Sequence, residues 1–472
     1  MPDVPRETPK GVGATAALRG DGQPTLPHDV LEALAAPLSA ANRRFARLYP
    51  GDPPRRQPVQ TVYGGAQLFR SDTAVKLGAR ARQAFEQYAP DARTLGRALG
   101  LDGREPDLLP MVHERVAEKL RREPVEDFRI DFEDGYGNRP DAEEDAHART
   151  VAAEVARGLH DGTLPPFIGL RVKPVNAELS GRSIRTLDLF LHTLLTATAG
   201  ELPPNFVITL PKLTSPAHAA FFADVLDALE ARLGLTSGKL VFELMVELPQ
   251  LIIDAAGSVV LPAVIDAARG RAIAAHFGTY DYTAALNITA GEQRMQHPAC
   301  DFARHMMQVT LAGRGIWLSD GSTAILPVPP HRAPGGASLD ARQRQENEAV
   351  VHRAWRLHFD DVRDSLARGF YQGWDLHPGQ LVSRYAAVYS FFLSGLDAAG
   401  ERLRNFIDRA AQATLVGEVF DDAATGQALL NYFLRALNSG AVSEEETLAR
   451  TGLTHDELRG RSFLTILRDR RS

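Results

Sequence analysis

The residues that could do chemistry in this 472-residue chain stand at the ends of short apolar runs. Arg129-Ile130-Asp131-Phe132-Glu133-Asp134-Gly135-Tyr136-Gly137 puts three acids within four residues and follows them at once with glycine. Charges crowded in this way repel, so the stretch calls for a cation, a base or a shell of donors. Taken alone, it reads equally well as a solvated turn. Other apolar runs finish the same way: in Arg171, in Lys212, in Glu247, in Asp281 just after Phe277-Gly278, and in Asp320 and His377 late in the chain. Stability alone gives no reason for so many strands to end in charge.

Glu247 and Asp281 would close adjacent strands, roughly 5 Å apart across a sheet, so both carboxylates could reach one ion. The single cysteine, Cys300, excludes an internal disulfide and a thiolate cluster, and no histidine pair stands at ligand spacing. Oxygen ligands favour Mg²⁺, with Mn²⁺ as the alternative, over Zn²⁺; magnesium keeps waters or substrate oxygens, so two protein ligands suffice. Arg171 would present a fork to a carboxylate, either a substrate's or one in an ordinary salt bridge. Lys212 reads equally as a ligand for an anion and as a solvated strand-end lysine. Several other signals fail. Pro140 stands where a dinucleotide turn needs its third glycine, Gly234 to Lys239 is too short for a phosphate loop, and there is no Gly-x-Ser-x-Gly elbow. His276, His297 and His305 read as structural, His377-Pro378 as a turn, and the Leu/Phe stripes as core.

These residues need a scaffold, and the chain supplies an alternating one. Strand-like runs occur at Val59–Tyr63, Arg129–Asp131, Phe167–Val172, Phe206–Leu210, Leu240–Glu247, Ala272–Phe277, Gly315–Leu318 and Phe370–Leu376, mostly separated by helical stretches. Such alternation predicts parallel strands with helical crossovers, and eight units fit an α/β (β/α)₈ TIM barrel, with an open doubly wound sheet as the competitor. The expected domains are an N-terminal extension (1–57), loosely ordered to about residue 27 and helical over Leu31, Leu34, Leu38, Phe45 and Leu48; the barrel (58–396), with a helical region from Ser71 to Lys119 broken near Gly100 to Pro110; and a C-terminal lobe (397–472), helical only.

Basic and acidic residues nearly balance, 53 against 59, for a net charge of −6, and no dense basic run suggests nucleic acid or a membrane surface. No apolar run reaches spanning length and the start does not resemble a signal peptide, so a soluble, cytoplasmic protein is expected.

Together the motifs are similar to those of the HpcH/HpaI aldolase and citrate lyase family, nearest its citrate lyase beta subunit and malyl-CoA lyase members. Asp131-Phe132-Glu133-Asp134 resembles the family's Asp-Leu-Glu-Asp, Arg171-Val172-Lys173-Pro174 its Arg-x-Asn-Pro, and Leu210-Pro211-Lys212 its Leu-Pro-Lys. Val246-Glu247-Leu248-Pro249 stands at its Ile-Glu-Thr, Phe277 to Tyr282 matches its Gly-x-x-Asp, and Gly369 to Gln380 resembles its Gly-Phe-x-Gly…His-Pro-x-Gln ending. The resemblance implies a Mg²⁺-dependent carbon–carbon lyase, or the reverse condensation, acting on a 2-oxo acid or acyl-CoA thioester. It implies Glu247 and Asp281 as metal ligands, Arg171 on the substrate carboxylate, Glu133 and Asp134 ordering water around the metal, and Lys212, Gly278 and Thr279 on the substrate. It implies a homo-oligomer, trimer or hexamer, in which Asp421, within Gly417-Glu418-Val419-Phe420-Asp421-Asp422-Ala423, is an acid/base for its own or a neighbouring subunit. The first strand lacks the family's Phe-Val-Pro, and Gly-Tyr-Gly replaces small apolar residues after the acidic motif, so a free acid is an alternative to a thioester. Two other readings stand beside the lyase: another metal-dependent enolate enzyme, hydrolase or phosphotransferase, on the same barrel, and a non-catalytic dicarboxylate-binding barrel.

Overall fold

The computed structural model describes residues 26, 28–53, 55–333, 338–408, 414–416, 419–421, 423–459 and 466; of 414–416, 419–421, 423 and 424 only the backbone is described. The expectation for residues 1 to 25 lies outside these. The chain divides into two compact units, Met1–Pro50 and Gly51–Ser472. The first contains the helix His28–Leu48, as its periodicity predicts, but none of the helix is buried. The stripe Leu31, Leu34, Leu38, Phe45 and Leu48 is exposed, which corrects its reading as core. Among the described residues of that unit, the helix has no second layer against which to bury an apolar face.

The second unit is the expected TIM barrel. Its strands are β1 (Gln60–Gly65), β2 (Asp127–Asp131), β3 (Phe167–Arg171), β4 (Phe206–Leu210), β5 (Phe242–Val246), β6 (Ala272–Phe277), β7 (Trp317–Ser322) and β8 (Gln372–Asp375). They pair in sequence order, all parallel, and β8 closes on β1. Side chains alternate along each strand. The outward set, including Ile130, Ile168, Leu170, Ile208, Phe206 and Phe242, is buried against the surrounding helices. Phe206 stacks on Phe190 at 5.9 Å and Phe242 meets Phe222 edge-on at 5.3 Å. Each such side chain contributes about 1.5–3 kcal/mol when fully buried.

The inward set is layered. A separate apolar plug of Phe167, Val207, Ile273, Ala274 and Trp317 fills the lumen near the strand starts. Above it lies a buried charged layer. Arg129 Nε and Nη2 reach the Glu243 carboxylate at 2.9 and 3.0 Å, and Nη1 pairs with Asp127. His276 Nε2 lies 2.9 Å from Glu243 Oε2, while its Nδ1 accepts from the Trp374 indole at 3.1 Å. Thr61 Oγ1 donates to Asp127 at 2.9 Å. Burial opposes ionisation of Glu243, but Arg129 and His276 outweigh it and hold the carboxyl well below its ordinary range.

Three details differ from expectation. The helical region is cut at Ala89-Pro90-Asp91 as well as at Gly100, giving helices Thr73–Tyr88, Ala92–Leu99 and Leu109–Arg122. Pro90 has no N–H to continue the first helix, and Asp91 caps the second by accepting from Thr94 N at 2.8 Å. Strand β7 runs on to Ser322, so Asp320 lies inside it. Beyond residue 396 the chain is not helical only: β9 (Thr414–Val416) and β10 (Val419–Asp421) form an antiparallel hairpin between helices Leu396–Asp408 and Ala423–Asn438. Two short β-prone runs flank Gly417, the residue pattern of a hairpin. This C-terminal region is tied to the barrel where the strands begin. Arg435 donates to Gln57 at 2.6 Å and Asp52 at 2.9 Å, and Arg115 holds Glu446 at 2.5 Å.

Removing one partner of a buried ion set leaves the others uncompensated. Arg129→Met is therefore expected to lower folding stability by about 3–5 kcal/mol, measured by urea denaturation; a loss under about 1 kcal/mol would show that the layer carries little of the fold.

Candidate functional site

At the carboxyl ends of the strands, the site is organised first by Asp131, the last residue of β2, which pairs in register with Arg171, the last residue of β3. Arg171 Nε lies 2.7 Å from Asp131 Oδ1 and Nη2 lies 2.5 Å from Oδ2. The same two oxygens accept the backbone N–H of Glu133 at 2.9 Å and of Gly135 at 2.7 Å. Asp131 thus locks both the guanidinium and the turn that carries the next two acids. The remaining guanidinium nitrogen, Nη1, faces Glu133 Oε2 at 3.2 Å and Asp134 Oδ2 at 3.7 Å. Tyr63 on β1 lies under Arg171 at 5.0 Å and against Trp374 at 4.6 Å. Behind the turn, Lys173 Nζ donates to Phe132 O at 2.7 Å and pairs with Glu144 at 3.0 Å. Tyr136 is buried, lies 4.8 Å from Arg139 and 5.1 Å from Lys173, and bonds His147 Nδ1 at 2.8 Å.

The other half of the site comes from β4, β5 and β6. Lys212, two residues past β4, has a left-handed φ of 52°. Its backbone N–H donates to Glu247 Oε1 at 2.7 Å, and its ammonium pairs with Glu133, with Asp134 at 3.3 Å and with Asp281 at 3.6 Å. Glu247 directly follows β5 and is 1% exposed. It lies against Gly278, where a Cβ would stand 2.5 Å from Glu247 Cβ and 2.9 Å from Oε2, so only glycine leaves room for it. Asp281 lies in the first turn of the helix Thr279–Ala285, which follows β6.

Five carboxylates (Asp131, Glu133, Asp134, Glu247 and Asp281) thus face two cationic side chains, Arg171 and Lys212. Burial pushes Glu247 up to about 8; Lys212 opposes this and the charge of Asp281 adds to it. Burial likewise raises Glu133 above the usual carboxylate range. For Asp134, burial is outweighed by its hydrogen bond with Glu133 and by Arg171 and Lys212, and it falls below that range. Lys212 is held above its ordinary value despite burial, by Glu247, Glu133 and Asp281. Glu247, raised chiefly by burial, and Asp281 are hard oxygen donors of the kind that Mg²⁺ takes. Among the described residues no group of three or more His, Cys, Asp or Glu is placed to hold a metal ion.

The structure therefore brings Glu133, Asp134, Arg171, Lys212, Glu247, Gly278 and Asp281 to one mouth. Thr279 is buried with its hydroxyl on the Met295 sulfur at 3.3 Å. Asp320 pairs with Arg304 at 2.9 Å and accepts from Ser365 at 2.6 Å, which makes it a structural acid. His377 Nδ1 accepts from Gly379 N at 3.0 Å, fixing a turn, and Gln380 accepts the N–H groups of Leu376 and His377. Asp421 ends β10, but its side chain, with Gly417, Glu418 and Asp422, lies outside the described residues. Sequence reasoning missed the Asp131–Arg171 clamp and the Arg129 layer, although Asp127-x-Arg129-x-Asp131, charged at every second residue, signals a polar lumen. A Ser383–His358–Asp375 arrangement also exists, with distances of 2.8 and 3.0 Å. All three residues are sealed from solvent and Asp375 is committed to Arg384, so the arrangement cannot receive a substrate. A cavity of about 790 Å³ is lined by Arg56, Glu123 and Tyr389 near the start of β1, the end of a barrel associated with stability.

A family profile described as "Domain of unknown function (DUF6986)" matches residues 38–466. Among solved structures, a citrate lyase from Burkholderia xenovorans LB400 is similar at 19% identity and a TM-score of 0.51, over 73% of this chain and 93% of that one. A malate synthase of Haloferax volcanii, in complex with magnesium and glyoxylate, is similar at 16% identity and a TM-score of 0.43, over 85% and 97%. At these identities the likeness concerns the fold. No curated protein matches in sequence.

Gly278→Ala should force Glu247 away from the Lys212 N–H and lower stability by about 1–3 kcal/mol. Gly181→Ala, where the added methyl meets nothing within 4 Å, is the control and should be neutral or slightly stabilising. Equal denaturation midpoints for the two variants would contradict the close approach.

Proposed function

We propose that this chain, which belongs to the DUF6986 family, is a Mg²⁺-dependent carbon–carbon lyase or condensing enzyme acting on a 2-oxo acid or an acyl-CoA thioester. The observation that carries the reading is that Glu247 and Asp281 share one mouth, where the Lys212 backbone N–H donates to Glu247, the Lys212 ammonium pairs with Asp281, and burial pushes Glu247 up to about 8. An anionic substrate meets net negative charge there, so it needs a cation to bind at all. Magnesium held by Glu247 and Asp281 would supply that charge and polarise the carbonyl of a 2-oxo acid. The motif order shared with the citrate lyase family supports the reaction class, and the shared fold is compatible with it.

The chain's own residues then divide the work. Arg171, fixed by Asp131, turns its one remaining nitrogen toward the mouth as a donor for the substrate carboxylate. Glu133 and Asp134 accept hydrogen bonds from water and set its orientation. In cleavage a base takes the hydroxyl proton, the carbon–carbon bond breaks, and the developing enolate meets the positive charge of Arg171 and Lys212. Asp421 is the assigned acid/base, acting in the mouth of another copy of the chain. The β9–β10 hairpin packs among the C-terminal helices, whose ties to the barrel are at the strand starts, which favours action in another copy over action in its own mouth. This assignment calls for a homo-oligomer, and a trimer or hexamer is the proposed form. Buried Thr279 contributes through its backbone and Gly278 through the space it leaves.

Glu247→Gln and Asp281→Asn are each expected to abolish metal-dependent turnover while leaving the circular dichroism spectrum unchanged. The substrate is sought by thermal shift with 2-oxo acids and acyl-CoAs, with and without Mg²⁺, and product analysis should find two carbon fragments. Full activity in EDTA-treated protein would refute the reading. Mixing inactive Asp421→Asn and Glu247→Gln proteins should restore part of the activity if the acid/base comes from a second copy; no recovery after confirmed subunit exchange would place it elsewhere.

A further inference from the structure

Lys212 is positioned for more than contact with a substrate. Its ammonium pairs with Glu133, lies 3.3 Å from Asp134 Oδ2 and lies 3.6 Å from Asp281 Oδ2. Glu133 and Asp134 come from the turn after β2 and Asp281 from the helix after β6, so a single positive charge spans the acidic mouth. The left-handed backbone at Lys212, rare for any residue but glycine, directs the N–H to Glu247 while the side chain reaches the other acids. One of the two carboxylates assigned to the metal is thus held by an internal cation, and the other by the same residue's backbone. A divalent ion on Asp281 would bring like charge against the ammonium.

We propose that Lys212 is a tethered competitor for the divalent cation: its ammonium offsets part of the negative charge of the mouth while no metal is bound and has to leave Asp281 when metal binds. The inference rests on the metal reading given above. The geometry allows the exchange. The Lys212 side chain is 26% exposed on a flexible stem, and Glu133 and Asp134 remain as partners once Asp281 is released. The backbone bond to Glu247 does not depend on the side chain, so removing the ammonium leaves that ligand in place. The charge of Lys212 therefore sets how tightly the site binds metal, and the site is protected from collapse or repulsion in its absence.

The test is calorimetric titration of MgCl₂ and MnCl₂ into EDTA-stripped full-length protein, for wild type, Lys212→Met, Lys212→Arg and Glu247→Gln. Lys212→Met should bind metal about tenfold more tightly or better, Lys212→Arg should stay near wild type, and Glu247→Gln should lose binding. Without metal, Lys212→Met should melt below wild type, and Mg²⁺ should raise its melting temperature by more than it raises that of wild type. Lys212→Gln serves the same purpose if the methionine variant does not fold. Unchanged or weaker metal binding in the charge-removed variant, with Glu247→Gln still abolishing binding, overturns the role of Lys212 and leaves the metal reading intact. Absence of binding in wild type and Lys212→Met alike overturns both.

Discussion

Charge placed inside a barrel has to be matched by charge, and this requirement shapes the molecule from its lumen outward. A carboxylate taken out of water loses solvation that only an opposite charge or several donors can replace. In the layer below the mouth, Arg129 serves Glu243 and Asp127 together, Thr209 donates to Glu243, and His276 lies beside it. One level higher, Asp131 and Arg171 satisfy one another along two parallel bonds. At the mouth the matching stops. Glu247 accepts the backbone N–H of Lys212, while Asp281 shares that residue's ammonium with Glu133 and Asp134, and the proposed metal reading rests on this shortfall of positive charge.

The precision of the mouth comes from where its residues are attached. Asp131 and Arg171 close hydrogen-bonded strands, and Glu247 is one residue beyond a third, so their backbones move only with the barrel. The acidic turn would be free to wander, but two backbone bonds to Asp131, with Lys173 and Tyr136 behind it, hold it in place. Structural elements absorb some residues that look functional. Asp320, His377 and the Ser383–His358–Asp375 arrangement are each used to hold helices or turns against the wall.

Much of this was legible in the sequence. Eight apolar runs of strand length, separated by helical stretches, leave few architectures other than a parallel barrel, because parallel neighbours need crossovers that cover the sheet. Charges at the ends of those runs, such as Lys212 after Leu210-Pro211 and Glu247 after Val246, mark the mouth, because the carboxyl ends of such strands meet there. The lumen was harder to read. Arg129 opens the run read as a strand and looks like a strand-edge charge until Glu243, on a strand more than a hundred residues away, is brought opposite it. The stripe on His28–Leu48 misled for the opposite reason: helical periodicity announces an apolar face without saying whether anything covers it.

What the sequence determined by itself is the set of elements and the chemical kind of each strand end, since both follow from local patterns of size, polarity and period. The tertiary structure decided which charges are partners. Asp131 rather than an outside ligand fills two arms of Arg171, Gly278 makes the space in which Glu247 lies, and Lys212 bridges acids from two separate loops. Electrostatic energy depends on distance and burial, and closure of the barrel brings together residues that the order of the chain keeps far apart.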